Sequence, residues 1–438
     1  MARQINPFIY SRSLQPEEFI GRKPELRRLF SRLATGQSTA IIGLPHVGKT
    51  SLLNTVMDPT CRSDFFGEEF ENDLFQILDA QMLRSVKTQS EFWEQALTSL
   101  EEKLGEDGGA HVKALLPVYE MAKENNFGNF VLEQMFSSFK ELGVRYMLFL
   151  DEFDDLLSHP VLNSAEFYGS LRSLASRSQG LVLVLGSRRD VERLNTLTQE
   201  INPHGSPYFN VFTQITLKTL TEPAFIEVLD LGTDHFQAVD IEYIRAVSGR
   251  YPFLVQAAAA KLWEAQEDNL RDYERFEYAG RELYNEAKQH FADTWRVWSN
   301  EIRRAVTVVA LAQIPSLLGN RSFATRDMLK SLDDFTPELE MLEDLGLLVN
   351  EEEGWSVTHG AFLWWLADEL KRNVRNDTEF KTWLQAQEME GILSVQQKEN
   401  LSKTTSSILT QLGKGASTLI EAFAKGAASA TLKRMGMG

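Results

Sequence analysis

One cysteine, Cys61, occurs in 438 residues. A single thiol excludes an internal disulfide and any multi-cysteine metal site, and its expected role is that of a small packed side chain. Long apolar runs are also missing. No uninterrupted stretch approaches the ~20 residues that span a bilayer. The opening "MARQINPFIY" lacks the apolar h-region of a secretory signal, so a cytoplasmic protein is expected. Positive charge is scarce: 45 Lys and Arg against 62 Asp and Glu leave a net −17. A general nucleic-acid or anionic-membrane surface is therefore not expected on the body of the protein. Apolar side chains, by contrast, make up 43% of the chain. That is enough to build cores in the two or three domains implied by the length.

Residues 1–217 alternate short apolar runs with longer helical patterns, which predicts an α/β domain with a parallel sheet. The strand candidates are "TAIIG" (39–43), "LFQILDA" (74–80), "YMLFLDE" (146–152), "LVLVLGS" (181–187) and "FTQITL" (212–217). Helical patterns fill residues 90–142, and residues 218–298 read as helical throughout. Residues 299–372 predict three helices, a two-strand wing in "GLLVNEEEGWSVTHG" and a closing helix, the order of a winged helix. A polar helical linker follows over 373–400, and the composition changes at 401.

The segment "GLPHVGKTS" (43–51) fits GxxxxGK[ST], with a strand before it and a helix after it. Gly43 and Gly48 permit the tight turn that points backbone N–H groups at phosphate oxygens, and Pro45, His46 and Val47 complete the loop. The helix beginning at Lys49, Thr50 and Ser51 turns its N-terminal dipole toward the same anion. Lys49 reaches the β- and γ-phosphates, and Thr50 can ligate Mg²⁺. The rest of such a site requires an acid at the end of a neighbouring strand. "YMLFLDEFDDL" supplies Asp151 for the Mg²⁺ shell and Glu152 to polarise the attacking water. Asp154 and Asp155 read as the solvated start of a helix. The next strand ends "LGSRRD", so Arg188 or Arg189 is expected to sense the γ-phosphate.

At this point the chain resembles the STAND-type ATPases, the signalling branch related to AAA+ and archaeal origin-recognition-like ATPases. The resemblance runs over residues 15–370 and rests on "FIGRKPELRRLF", the P-loop, the hhhhDE strand, "GSR" and "SGRYPFLVQ". It implies that Phe19, Ile20, Gly21 and Arg22 pack around adenine, and that Arg188 rather than Arg189 is the strand-end arginine. It further implies a helical lid over 218–298 with a G-x-P box, Gly249 and Pro252, whose proline contacts the base. His359, late in the winged helix, would touch the β-phosphate of bound ADP.

A winged helix raises the question of DNA. Its third helix, "TPELEMLEDLGLL", carries Glu338, Glu340, Glu343 and Asp344 with no Lys or Arg, and the wing adds Glu351, Glu352 and Glu353. Duplex binding rests on cationic contacts, so nucleic acid is not the expected partner. The end of the chain aligns in elevens: 401–411, 412–422 and 423–433. Eleven residues make three turns at ~3.67 per turn, so equivalent positions stack with little drift. Leu401, Ile408, Leu412, Ala416, Leu419 and Phe423 then form one apolar stripe. From 401 on, five basic residues and one acid give +4, which leaves −21 on the preceding 400 residues. Such an amphipathic helix suits a membrane surface; self-association, docking on the acidic body and a disordered tail are the alternatives.

The expected protein is an ATP/ADP-gated switch with Mg²⁺ as cofactor. It forms a homo-oligomer in the ATP state and releases its tail (401–438) for membrane association or self-assembly. Hydrolysis is slow and resets it, a separate protein is one candidate trigger, and a defence response is the setting by analogy. It would be cytoplasmic, and peripheral to the membrane once activated. The alternatives are a DNA-associated AAA+-like loader or regulator and a scaffold that binds nucleotide structurally.

Overall fold

In the computed structural model, which describes residues 5–105, 110–203, 205–317, 335–351, 354–373 and 413–434, each apolar run of the N-terminal half becomes a strand. These are β1 (Thr39–Ile42), β2 (Leu74–Asp79), β3 (Tyr146–Asp151), β4 (Leu181–Ser187) and β5 (Thr213–Thr216). They form one parallel sheet of order β2-β3-β4-β1-β5. β3 and β4 are buried along their whole length, because a central parallel strand is covered on both faces. β5, at one edge, leaves Thr213 and Gln214 exposed.

Ten α-helices are described in this unit, Ser13–Leu217: α1 (Lys23–Ala34), α2 (Lys49–Met57), α3 (Pro59–Phe66), α4 (Gln89–Ala96), α5 (Thr98–Gly105), α6 (Ala110–Lys113), α7 (Leu116–Glu124), α8 (Asn129–Glu141), α9 (Ala165–Arg177) and α10 (Val191–Gln199). Their starts follow side-chain capping. Thr88 accepts the Glu91 N–H before α4, Ser164 the Phe167 N–H before α9, and Asp190 the Arg193 N–H before α10. Trp93, Phe92 and Phe136 of α4 and α8 are buried with Tyr146 and Phe167 in one core cluster. The register pairs Ile42 with Ser187 and Asp79 with Asp151. The loops that carry chemistry thus emerge from the carboxyl ends of the strands, where open α/β sheets bind ligands.

The second unit comprises Met1–Arg12 and Lys218–Gly438. Residues 5–12, which the sequence reading gives to the sheet domain, pack here instead. Asn6 Nδ2 donates to the Ala260 carbonyl at 3.2 Å, the Ile9 N–H donates to Gln256 Oε1 at 3.2 Å, and Phe8 lies against Phe236 and Trp263. The segment is apolar but too short to be an element of its own, so it needs a ready-made surface. Helices α11 (Glu222–Leu229), α12 (Ala238–Ser248), α13 (Pro252–Glu267) and α14 (Asp272–Val297) follow. α13 is apolar on nearly every face and buries Leu254, Val255, the four alanines 257–260, Leu262 and Trp263, as a core helix should.

After these come α15 (Asn300–Leu317), α16 (Thr336–Asp344), the hairpin of β6 (Leu348–Glu351) and β7 (Gly354–Val357), and α17 (Gly360–Asn373). Gln313 of α15 uses both ends of its amide on Val357, at 3.2 and 2.9 Å, and so satisfies the free edge of β7. The middle helix of the predicted three, the linker 374–400, Glu352 and Glu353 of the wing, and tail positions Leu401, Ile408 and Leu412 lie outside the described residues.

The last helix, α18 (Ala416–Arg434), packs against α12, α14 and α17. Ala416, Leu419, Ile420 and Ala424 are buried, and Phe423 meets the Trp364 ring edge-on at 5.5 Å. The Ala416 N–H donates to Asp368 Oδ1 at 2.7 Å. The described part of the apolar stripe is thus docked on the protein's own body. No helix among the described residues is long and apolar enough to cross a membrane.

Candidate nucleotide site

The chain leaves β1, turns through Gly43–Gly48 and enters α2 at Lys49. Gly48, the N-cap of α2, has φ 101°, a conformation that a side chain would strain. Lys49 is buried, and its Nζ donates to the Gly43 carbonyl at 2.9 Å and the Leu44 carbonyl at 3.3 Å. Burial pulls its pKa down, opposed by the carboxylates of Glu152 and Asp151. Val47 is buried, Pro45 half-buried, and His46 exposed at φ 60°. Ser51 is buried and its Oγ accepts the Leu14 N–H at 3.0 Å.

The sequence reading sets the acid strand beside the P-loop strand, but the sheet inserts β4 between them. Asp151 still reaches the loop: Thr50 Oγ1 donates to its Oδ2 at 2.6 Å. Gly186 of β4 makes this possible, since a Cβ there would stand 2.4 Å from Asp151 Oδ1. Burial raises the Asp151 pKa, and the Thr50 hydrogen bond works against that rise. Glu152 follows in the left-handed region, at φ 48°, and its Oε2 accepts Arg188 Nη2 at 2.6 Å. Burial opposes the charge on Arg188, but Glu152, Asp154 and Asp155 outweigh it and raise its pKa. Arg188 Nε is buried without a hydrogen-bond partner among the described residues.

Asp154 is the site residue that the sequence reading missed. It is not solvated. It is 8% exposed; its Oδ2 accepts the Arg188 N–H at 2.7 Å and its Oδ1 accepts Arg189 Nη1 at 2.6 Å. The signal was a charge match, four acids in "DEFDD" facing two arginines in "SRRD". Asp155, by contrast, is half-buried and pairs with the exposed Arg84.

Phe19 adjoins this loop, with Cε2 at 4.0 Å from where a Gly48 Cβ would stand. Ile20 is half-buried, and Gly21 turns at φ 86°. Arg22 is buried and ties the box to the loop: its Nη2 donates to the Val47 carbonyl at 3.3 Å and its Nη1 to Glu25 Oε1 at 3.2 Å. Gly249, Pro252 and His359 belong to the other unit. There the G-x-P box and the histidine come together. A Cβ on Gly249 would stand 2.8 Å from His359 Cβ, and the Tyr251 and His359 rings are 6.4 Å apart. Burial pushes the His359 pKa down to about 4, so at neutral pH the ring is uncharged.

The donor set fits a magnesium nucleotide. One hydroxyl and one carboxylate lie in contact, as a hard cation that keeps several of its waters requires. A buried ammonium stands beside them, and an orphaned guanidinium N–H is available for an anion.

A comparison with curated proteins finds no match. Among solved structures, the chain is similar to a Walker-type ATPase of Pyrococcus abyssi (15% identity, 82% of this chain and 99% of that one, TM-score 0.49). It is also similar to the ORC2 protein of Aeropyrum pernix (14% identity, 81% and 96%, TM-score 0.43) and to the ORC1 protein of the same organism in complex with DNA (15% identity, 80% and 93%, TM-score 0.38). The family model described as Novel STAND NTPase 1 matches residues 12–390. With that match over most of its length, a P-loop on a five-stranded parallel sheet and a mostly helical remainder, the chain belongs to the novel STAND NTPases.

Proposed function

We propose that this NTPase is an ATP-gated switch that hydrolyses ATP slowly, assembles when ATP is bound, and then frees its C-terminal helix. The observation that carries the reading is the convergence of Lys49, Thr50, Asp151, Glu152 and Arg188 at one end of the sheet, each held by a partner that nucleotide can replace. Lys49 exchanges two loop carbonyls for phosphate oxygens. Thr50 and Asp151, already in contact, would hold Mg²⁺, which would supply positive charge to the phosphates. Arg188 leaves Glu152 for the γ-phosphate, and the freed carboxylate orients water for in-line attack. Until the phosphate arrives, Glu152 is occupied by Arg188, so no carboxylate is free to orient water without nucleotide.

His359 beside Gly249 supports the lid and winged helix as the ADP-holding part. The docked α18 supports a closed state, with an apolar face that has to be exposed before it can meet a membrane or another copy. The DNA-associated reading is disfavoured by α16, where Glu340, Glu343 and Asp344 are exposed and would repel phosphates.

Mass photometry of the full chain with ADP, ATP and a slowly hydrolysed analogue, each with and without duplex DNA, tests the switch. The expected result is a larger species with ATP and the analogue only, indifferent to DNA. One mass under all nucleotide conditions would refute the switch, and assembly only on DNA would favour the loader.

A further inference from the structure

Two adjacent arginines follow β4, yet a phosphate sensor needs one guanidinium in one place. The two are treated differently. Arg189 gives Nη1 to Asp154 Oδ1 at 2.6 Å, and its backbone is pinned by Ser187, whose Oγ accepts the Arg189 N–H at 3.0 Å and donates to the Arg189 carbonyl at 2.8 Å. Arg188 is held at the backbone by Asp154 Oδ2, while its side chain lies on Glu152. One buried carboxylate therefore immobilises the first side chain and aims the second.

We infer that Asp154 is a positioning residue for hydrolysis. It selects Arg188 as the arginine that moves between Glu152 and the γ-phosphate, and it keeps Arg189 out of that role. The inference rests on the ATPase reading above. A carboxylate is needed, since only it can accept from a main-chain N–H on one oxygen and a guanidinium on the other. In Asp154→Asn the amide oxygen still accepts the Arg188 N–H, but the amide nitrogen repels Arg189. The released Arg189 then competes for Glu152 and for the phosphate. Hydrolysis suffers, whereas nucleotide binding, which rests on Lys49 and the loop, does not.

Steady-state ATPase assays of the full chain, with nucleotide binding measured separately, test this. Asp154→Asn is expected to lower kcat by about tenfold or more with KM within about threefold of wild type, the pattern of an interaction used only in the transition state. Adding Arg189→Gln to Asp154→Asn removes the competitor and should regain most of the lost kcat. A purely structural role predicts no such rescue. An unchanged kcat, a loss confined to KM, or a double variant no faster than Asp154→Asn would overturn the assignment. If Asp154→Asn does not fold, Arg189→Gln alone decides. The vacated Oδ1 then draws the Arg188 side chain from Glu152, so kcat falls with binding kept; an unchanged kcat overturns the inference. A wild-type chain that binds ATP but never hydrolyses it would instead defeat the ATPase reading itself.

Discussion

At the scale of single residues, the proposed function divides the site into groups that hold nucleotide and groups that act on it. Lys49→Ala should lower ATP affinity by about a hundredfold or more, equivalent to ~3 kcal/mol for a lost charged contact. Equilibrium binding of labelled ATP checks this, and equal affinity would place the phosphates elsewhere. Glu152→Gln should bind ATP as wild type does and lose about a hundredfold or more in turnover, because an amide cannot take a proton from water as a carboxylate does. His359 makes a prediction in pH. Its folded pKa of about 4 lies below the ordinary ~6.5 of an unfolded histidine. The unfolded chain therefore binds the extra proton first. Stability contributed by the neutral ring is complete above about pH 6.5 and is lost as the pH falls toward 4, by at most about 3 kcal/mol. Urea midpoints at pH 7.5 and 4.5 should differ less in His359→Asn than in wild type. Equal acid sensitivity in the two would assign the effect to other groups.

At the scale of elements, legibility followed burial. β3 and β4 could be read to within a residue because both faces are covered, and unbroken apolar runs of that length have few other uses. Strand order was not legible. The insertion of β4 between β1 and β3 depends on non-local pairing, and its trace in sequence is one glycine, Gly186. Asp154 was misread because an acid after a strand is usually solvated; only the facing arginines make burial tolerable. The tail's stripe was legible as a stripe, but an amphipathic face does not name what covers it. The structure explains two glycines that local propensity disfavours. Gly280 lies within α14, and a Cβ there would stand 2.9 Å from Ile420 Cγ2; one on Gly360, at the start of α17, would stand 2.6 Å from the Phe423 ring. Gly280→Ala would ordinarily strengthen a helix by about 1 kcal/mol. Here it should loosen α18 instead, seen as faster proteolytic cleavage within 413–434 at unchanged ATP affinity. Equal cleavage rates would mean that the helix is not seated through these contacts.

At the scale of the whole molecule, the switch reading predicts that any route to membranes passes through undocking. The described stripe can bury Leu419, Ile420 and Phe423 in only one place at a time. Leu419→Asp should undock α18 and also remove its apolar face, so it should not float with anionic vesicles. Gly280→Ala, which loosens the helix and keeps that face, should float more than wild type. If neither wild type with ATP nor Gly280→Ala ever floats with vesicles of any composition, self-association replaces the membrane as the use of the freed helix. The contact between α18 and α17 also has an optical consequence. Trp364 is fully buried with the Phe423 ring across its edge, so departure of the helix transfers an indole from an apolar pocket to water. On the switch reading, the protein thus carries a native fluorophore at its own latch. Its tryptophan emission should shift to the red on ATP addition, by an amount that Trp364→Phe removes, and the rate of that shift would time the opening without a label.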